Sequence, residues 1–177
     1  MSDRDALLAG IREKAVLHGD FVLSSGHRAA YYVDLRRITL DGRLAPLAGR
    51  LLLEATADLP YEAVGGLTLG ADPIAYAMMA AAANRGTPID AFVVRKAEKT
   101  HGLQRRIEGP DVTGRRVLAV EDTSTTGGSV LTAVDALHAA GAEVVGVAVL
   151  VERGARPKIA ERGLPYRAVF ELADLGL

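Results

Sequence analysis

The chain contains no cysteine and no tryptophan. Without thiols, disulfides and thiolate metal sites are excluded. Lysine is scarce: 4 lysines stand against 17 arginines. Two of those lysines, Lys96 and Lys99, fall in one stretch, so lysine there is not compositional drift. Net charge is nearly absent, −1 over 177 residues, which argues against nucleic-acid binding driven by charge. Long hydrophobic runs are missing as well. The longest, Ala75–Ala83 and Val144–Val151, are far too short to span a bilayer. The opening M-S-D-R-D-A-L-L carries acids and no apolar h-region, so no signal peptide is expected. These absences lead to the expectation of a cytoplasmic protein with no membrane and no nucleic-acid partner. What is present is apolar material: 49% of residues are hydrophobic, enough for one α/β domain with a packed core.

The segments alternate between helical and strand patterning. Residues 2–18 read as a helix with Leu7, Leu8, Ile11 and Ala15 on one face, and Ser2 with Asp5 resembles a capping box. Residues 20–37 hold two β-like segments around a Ser-Ser-Gly turn. This is either an edge hairpin covering the core or a lid over a ligand, with Tyr31 and Tyr32 offering flat faces to a planar base. Helical spacing returns over 42–57. A strand at 63–67 leads through a Gly-rich turn, G-G-L-T-L-G-A-D-P, into a helix to about residue 83. That turn is either a second anion site or an ordinary βα connection. A strand at 91–95 precedes R-K-A-E-K-T-H-G-L-Q-R-R-I-E-G-P, residues 95–110, which is long, charged and aperiodic. Such a loop is either solvated and disordered or a functional lid. Further strands are expected at 117–120, 143–151 and 166–170. The alternation predicts a parallel, right-handed α/β sheet with ligands at the carboxyl ends of its strands.

The stretch R-V-L-A-V-E-D-T-S-T-T-G-G-S-V-L, residues 116–131, organises the rest. A buried strand runs into two acids, Glu121 and Asp122, then a polar loop, Thr123 to Ser129, then a helix opening near Gly128. Strand, loop and helix N-terminus make an anion site, because first-turn N–H groups lack intrahelical partners. It is neither a P-loop nor a dinucleotide fingerprint, since both glycine patterns are missing. Two carboxylates cannot bind phosphate, but they can accept hydrogen bonds from vicinal sugar hydroxyls. Diol acceptors followed by a phosphate cradle suit a ribose 5-phosphate.

The run E-D-T-S-T-T-G-G-S, Glu121 to Ser129, resembles the phosphoribosyl-pyrophosphate (PRPP) motif of type I phosphoribosyltransferases. Three further stretches are similar to orotate phosphoribosyltransferases: F-V-L-S-S-G-H-R-A-A-Y-Y-V-D (21–34) to their N-terminal hood, V-R-K-A-E-K-T-H-G (94–102) to their mobile loop, and V-E-R-G (151–154) to the place of their orotate-contacting arginine. The resemblance implies the type I phosphoribosyltransferase fold over residues 1–177 as one domain, a central parallel sheet flanked by helices, with a small hood at about 19–37 and a mobile loop at about 96–110. It implies that orotate N1 attacks C1 of PRPP as pyrophosphate leaves, giving orotidine 5′-monophosphate for UMP synthesis. Lys99, His101 and Asp122 are then the expected catalytic residues. PRPP contacts are expected from Arg95, Lys96, Lys99, His101, Glu121, Asp122, Thr123, Ser124, Thr125, Thr126, Gly127, Gly128 and Ser129. Orotate contacts are expected from Thr125, Arg153, Tyr31 and Tyr32. Mg²⁺ is expected to arrive mainly on PRPP, with no metal ligands of the protein's own. A homodimer is implied, the mobile loop reaching the neighbouring subunit's site.

Two positions depart from the family pattern: Ser24 stands where some members have a hood lysine, and Leu69-Gly70 where some have a Tyr-Lys pair. Both remove positive charge and shift weight to the mobile loop. A non-catalytic PRPP-binding regulator and a purine phosphoribosyltransferase are the alternatives.

Overall fold

The computed structural model describes residues 1–22, 28–96 and 106–177. A six-stranded sheet forms the centre, in the order β5-β4-β3-β6-β7-β8. Its strands are β3 (Ala63–Leu67), β4 (Asp90–Val94), β5 (Ile107–Glu108), β6 (Arg116–Ser124), β7 (Glu143–Glu152) and β8 (Tyr166–Glu171). All neighbours pair in parallel except β5, which runs antiparallel to β4. The apolar runs of β3, β6 and β7, buried on both faces, form the centre of this parallel sheet, as parallel strands require.

Helices cover both faces. On one lie α1 (Asp3–Gly10), α3 (Ala45–Ala55) and α4 (Ala71–Asn84), on the other α5 (Gly128–Ala139) and α6 (Arg156–Ala160). The two-residue period of β6 divides its side chains between them. Leu118 and Val120 pack with Leu52, Ile74 and Met78. Val117 and Ala119 pack with Val130, Val134 and Leu137.

The first helix is shorter than its spacing predicts. The Ser2–Asp5 capping box is present, but α1 ends at Gly10, one π-helical turn follows to Ala15, and β1 (Val16–Val22) begins there. Val16 pairs with Val33 of β2 (Arg28–Val33), and the Asp34 N–H donates to Ala15 O at 2.9 Å. A long-range ladder overrides local helical spacing at β-branched Val16. The hairpin β1–β2 is a sheet of its own, separate from the main one, and leads into a short helix α2 (Arg36–Thr39). Helix α3 starts later than spacing suggests, where Pro46 suits a first turn.

The chain leaves β3 for β4 on one side and returns to place β6 on the other. The carboxyl ends of β3 and β6 therefore flank the point where strand order reverses, the usual crevice for a ligand in such sheets.

Candidate active site

A cleft of about 270 Å³ opens at that reversal. Residues Leu67 to Gly70 after β3 form one wall, and Glu121, Asp122 and Thr123 of β6 form the other. Tyr32, Asp34 and Arg36 come in from the hairpin and α2, Lys96 from beyond β4, and Ser129 from the first turn of α5.

Strand β6 does not end at the apolar run. Thr123 and Ser124 pair with Val151 and Glu152 of β7, so the acid pair is built into the ladder rather than borne on a loop. Glu121 is 6% exposed and Asp122 is half-buried. Asp122 N–H donates to Glu121 Oε1 at 3.3 Å, and Thr123 N–H donates to Asp122 Oδ1 at 2.7 Å. Burial, above all, pushes both carboxyls above the ordinary range, and the charge of Asp122 adds to the effect on Glu121. Gly70 makes room for the pair: a Cβ there would lie 2.4 Å from Glu121 Oε1 and 3.0 Å from Asp122 Oδ1. Gly70→Ala is accordingly expected to displace both carboxylates and lower kcat/KM for PRPP by tenfold or more, about 1.4 kcal/mol. Thermal melting within a few degrees of the parent separates this from misfolding, since the backbone at residue 70 is ordinary αR.

The turn from β6 into α5 has three residues, 125–127. Gly127 is the N-cap in the left-handed region, φ 77°, where glycine carries no Cβ penalty. Leu131 N–H donates to Gly127 O at 2.9 Å, the first full helical bond of α5. The N–H groups of Gly128, Ser129 and Val130 precede it and point out of the helix start. Gly128 N–H makes only a long contact, 3.4 Å, to Thr126 Oγ1. Thr125, Thr126 and Ser129 stand exposed beside it, so the turn offers backbone and hydroxyl donors to an anion.

Among the described residues, five buried side-chain atoms lack a protein hydrogen-bond partner. Three of them, Asp72 Oδ1, Thr123 Oγ1 and Arg153 Nε, lie around this edge of the sheet. Buried polar atoms are nearly always paired, so their concentration here suits a polar ligand. The other Asp72 oxygen accepts from Thr68 Oγ1 at 2.7 Å.

Arg153 does not pair with Glu152. The buried Glu152 carboxylate accepts from Gly154 N–H at 2.7 Å, Arg156 N–H at 3.1 Å and the Tyr166 hydroxyl. It clamps the turn that carries Arg153, while Arg153 N–H donates to Ser124 O at 3.0 Å. The Arg153 guanidinium lies 6.0 Å from the Tyr31 ring centre. Tyr31 and Tyr32 alternate along β2: Tyr31 packs on the core side, whereas Tyr32 is exposed, lines the cleft and stacks at a tilt on Phe21. The two rings therefore do not present one joint face. Arg95 turns toward Glu108, 3.6 Å away, and does not line the cleft. Lys99, His101 and Ser24 lie outside the described residues.

Residues 63–166 match the phosphoribosyl transferase domain family. The chain is 66% identical to the orotate phosphoribosyltransferase of Streptomyces avermitilis over 98% of its own length and 97% of that protein's. It is 60% identical to that of Mycobacterium tuberculosis, over 99% and 97%. The chain belongs to the orotate phosphoribosyltransferases. The crystal structure of the M. tuberculosis enzyme in complex with 5-phospho-α-D-ribosyl 1-diphosphate superposes with a TM-score of 0.87 at 54% identity, covering 99% of this chain and all of that one.

For this phosphoribosyltransferase the fold class and the activity agree with the sequence expectation. Two charged cleft residues went unnoticed in the sequence, Asp34 and Arg36. The only signal for Arg36 was the arginine pair after Asp-Leu at the end of the hood, D-L-R-R.

Proposed function

We propose that the enzyme transfers the ribose 5-phosphate of PRPP to N1 of orotate, giving orotidine 5′-monophosphate and pyrophosphate in pyrimidine biosynthesis. One observation carries this: the acid pair and the donor-rich start of α5 meet in one cleft at the sheet's reversal point, with Arg153 on the adjoining turn. Glu121 and Asp122 accept the two ribose hydroxyls. The N–H and hydroxyl groups of Thr125 to Ser129, with Thr123 and Ser124 leading in, hold the 5′-phosphate. Lys96, with Lys99 and His101, serves the pyrophosphate. Arg153 takes the orotate carboxylate, with Thr125, Tyr31 and Tyr32 beside the ring.

Bond breaking ahead of bond making leaves C1 oxocarbenium-like, as in glycoside hydrolysis. The protein's task is to hold N1 against C1, exclude water and meet the charge on the departing group. Phosphoribosyltransferases generally use Mg²⁺ with PRPP. The donor set fits an ion bound largely by substrate oxygens: Glu121, Asp122 and the unpartnered Asp72 Oδ1 are hard oxygen groups that would face it. Such an ion would supply positive charge to the pyrophosphate. The enzyme works as a homodimer in which Lys99 and His101 serve the partner's cleft, whereas Lys96 lines its own subunit's cleft and Ile107 and Glu108 stay in its own sheet as β5. We place it in the cytoplasm; no described helix is long and apolar enough to cross a membrane.

Absorbance of orotate with enzyme, PRPP and Mg²⁺ tests the reaction, with adenine, hypoxanthine and uracil in parallel. PRPP-dependent loss of orotate absorbance alone supports it. Turnover of a purine instead refutes the assignment of Arg153, and PRPP binding without turnover of any base favours a regulator. Arg153→Ala is expected to raise KM for orotate about 10- to 100-fold, since a charge-assisted hydrogen bond is worth roughly 1.5–3 kcal/mol. KM for PRPP should change little; equal rises in both constants contradict a carboxylate role.

A further inference from the structure

The cleft walls carry three carboxylates, Asp34, Glu121 and Asp122. Against them stand two cations among the described residues, Lys96 and Arg36. The wall after β3, Leu67 to Gly70, has no positive side chain, although it faces the place a pyrophosphate must occupy if the ribose hydroxyls meet the acid pair and the 5′-phosphate meets α5. A diphosphate entering beside three carboxylates needs fixed cations nearby.

Arg36 is held for this. It opens α2 between Leu35 and Ile38, which are 1% and 0% exposed and anchor the turn in the core. Its Nε donates to Asp34 Oδ1 at 2.8 Å, and the same oxygen accepts the Arg36 N–H at 3.3 Å. One edge of the guanidinium is thus fixed by its neighbour two residues back. The Nη groups make no hydrogen bond to another described residue. The guanidinium is close enough to Asp122 to favour that carboxylate's charged form. Arg37 shows the contrast: its Nη1 donates to Lys14 O at 3.2 Å and it does not line the cleft. Of two adjacent arginines, one ties down the hairpin base and the other faces the cleft.

We infer that Arg36 is a pyrophosphate-binding residue, its guanidinium pinned by Asp34 so that the free Nη edge meets diphosphate oxygens; this rests on the PRPP assignment above. A planar fork with one edge already fixed loses little side-chain freedom on binding and matches two phosphate oxygens at once. The hood thereby supplies a positive charge that Leu69-Gly70 does not. Because the Arg36 side chain is 45% exposed, its share is that of a solvent-reached contact, not of a buried ion pair.

Calorimetric titration of the full-length enzyme with PRPP, magnesium pyrophosphate and ribose 5-phosphate tests this. Arg36→Ala is expected to weaken PRPP and pyrophosphate at least tenfold and ribose 5-phosphate less than twofold. Arg36→Lys should recover part of the loss, because the charge returns without the fork. Asp34→Asn should weaken pyrophosphate severalfold by releasing the pinned edge. Pyrophosphate affinity within twofold of the parent in Arg36→Ala overturns the inference. So does an equal loss for ribose 5-phosphate, which assigns Arg36 to charge balance of the acid pair alone. Base turnover by the unaltered enzyme is scored separately, so failure of the PRPP assignment appears there and not in this comparison.

Discussion

The double variant Glu121→Gln/Asp122→Asn is expected to lose about a thousandfold in kcat/KM for PRPP and to melt at a higher temperature than its parent at pH 8. The loss follows from the acceptors. Each ribose hydroxyl donating to a carboxylate contributes roughly 1.5–3 kcal/mol more than to solvent. Two such bonds amount to about 3–6 kcal/mol, or two to four decades of rate. The gain follows from linkage. Both carboxyls sit above their ordinary values in the folded chain, chiefly because burial disfavours their charge. A folded-state pKa raised above the unfolded one means that the native state holds more protons, so stability falls as pH rises. The contribution is fully present below about pH 4, the unfolded carboxylate range, and drains away through neutral pH. Neutral amides remove that drain, and two like charges no longer share one strand end. A gain of about 1 kcal/mol corresponds to roughly 2–4 °C in a chain of this size. Thermal melts at pH 5 and pH 8 with parallel kinetics check both halves. The gap between variant and parent should widen from pH 5 to pH 8. A gap that narrows shows that the carboxylates are charged and satisfied in the free enzyme.

That trade of stability for function explains where sequence patterning succeeds and fails. The sheet was readable because Ala63–Leu67, Val117–Val120 and Val144–Val151 are short apolar runs buried on both faces, and their alternation with helical segments points to a parallel core. The acid pair and the Thr-Gly-Gly turn were readable because their chemistry breaks the apolar pattern at a strand's end. The length of β6 was not. Thr123 and Ser124 join it through pairing with β7, and no local preference announces a partner's ladder. The two residues of β5 are likewise held by β4, through Val93 and Val94. Helix α1 loses its last turns to the hairpin for the same reason. Arg36 was hidden because Asp-Leu-Arg-Arg reads as solvated surface. Only the fold of the hairpin over the β3–β6 crevice turns one of those arginines inward. Arg95 shows the reverse. The family resemblance assigns it to PRPP, and its side chain here lies against Glu108.

Lys99→Ala and His101→Ala are each expected to lower kcat by about 10²–10³, with KM for PRPP moving much less. The cleft as described sets three carboxylates against two cations, so it has little positive charge to spare for a leaving group. Charge grows on the pyrophosphate as the bond to C1 breaks, and only donors that meet it in the transition state raise kcat. Removing one preorganised donor of this kind costs roughly 2.7–4 kcal/mol in other enzymes. Both side chains belong to the segment that the family resemblance assigns to closure over the substrate. Single-turnover rates isolate the chemical step from product release. Losses below tenfold in both variants, about 1.4 kcal/mol, leave the departing pyrophosphate to Lys96, Arg36 and the ion that accompanies PRPP. Mixing the Lys99→Ala protein with the Glu121→Gln/Asp122→Asn protein then addresses which subunit the loop serves. If the loop acts in its own subunit, neither chain supplies a complete site and mixing restores nothing. If it reaches across a two-fold interface, each mixed dimer contains one site with both defects and one with none. About half the parent activity per mixed dimer should then return as subunits exchange.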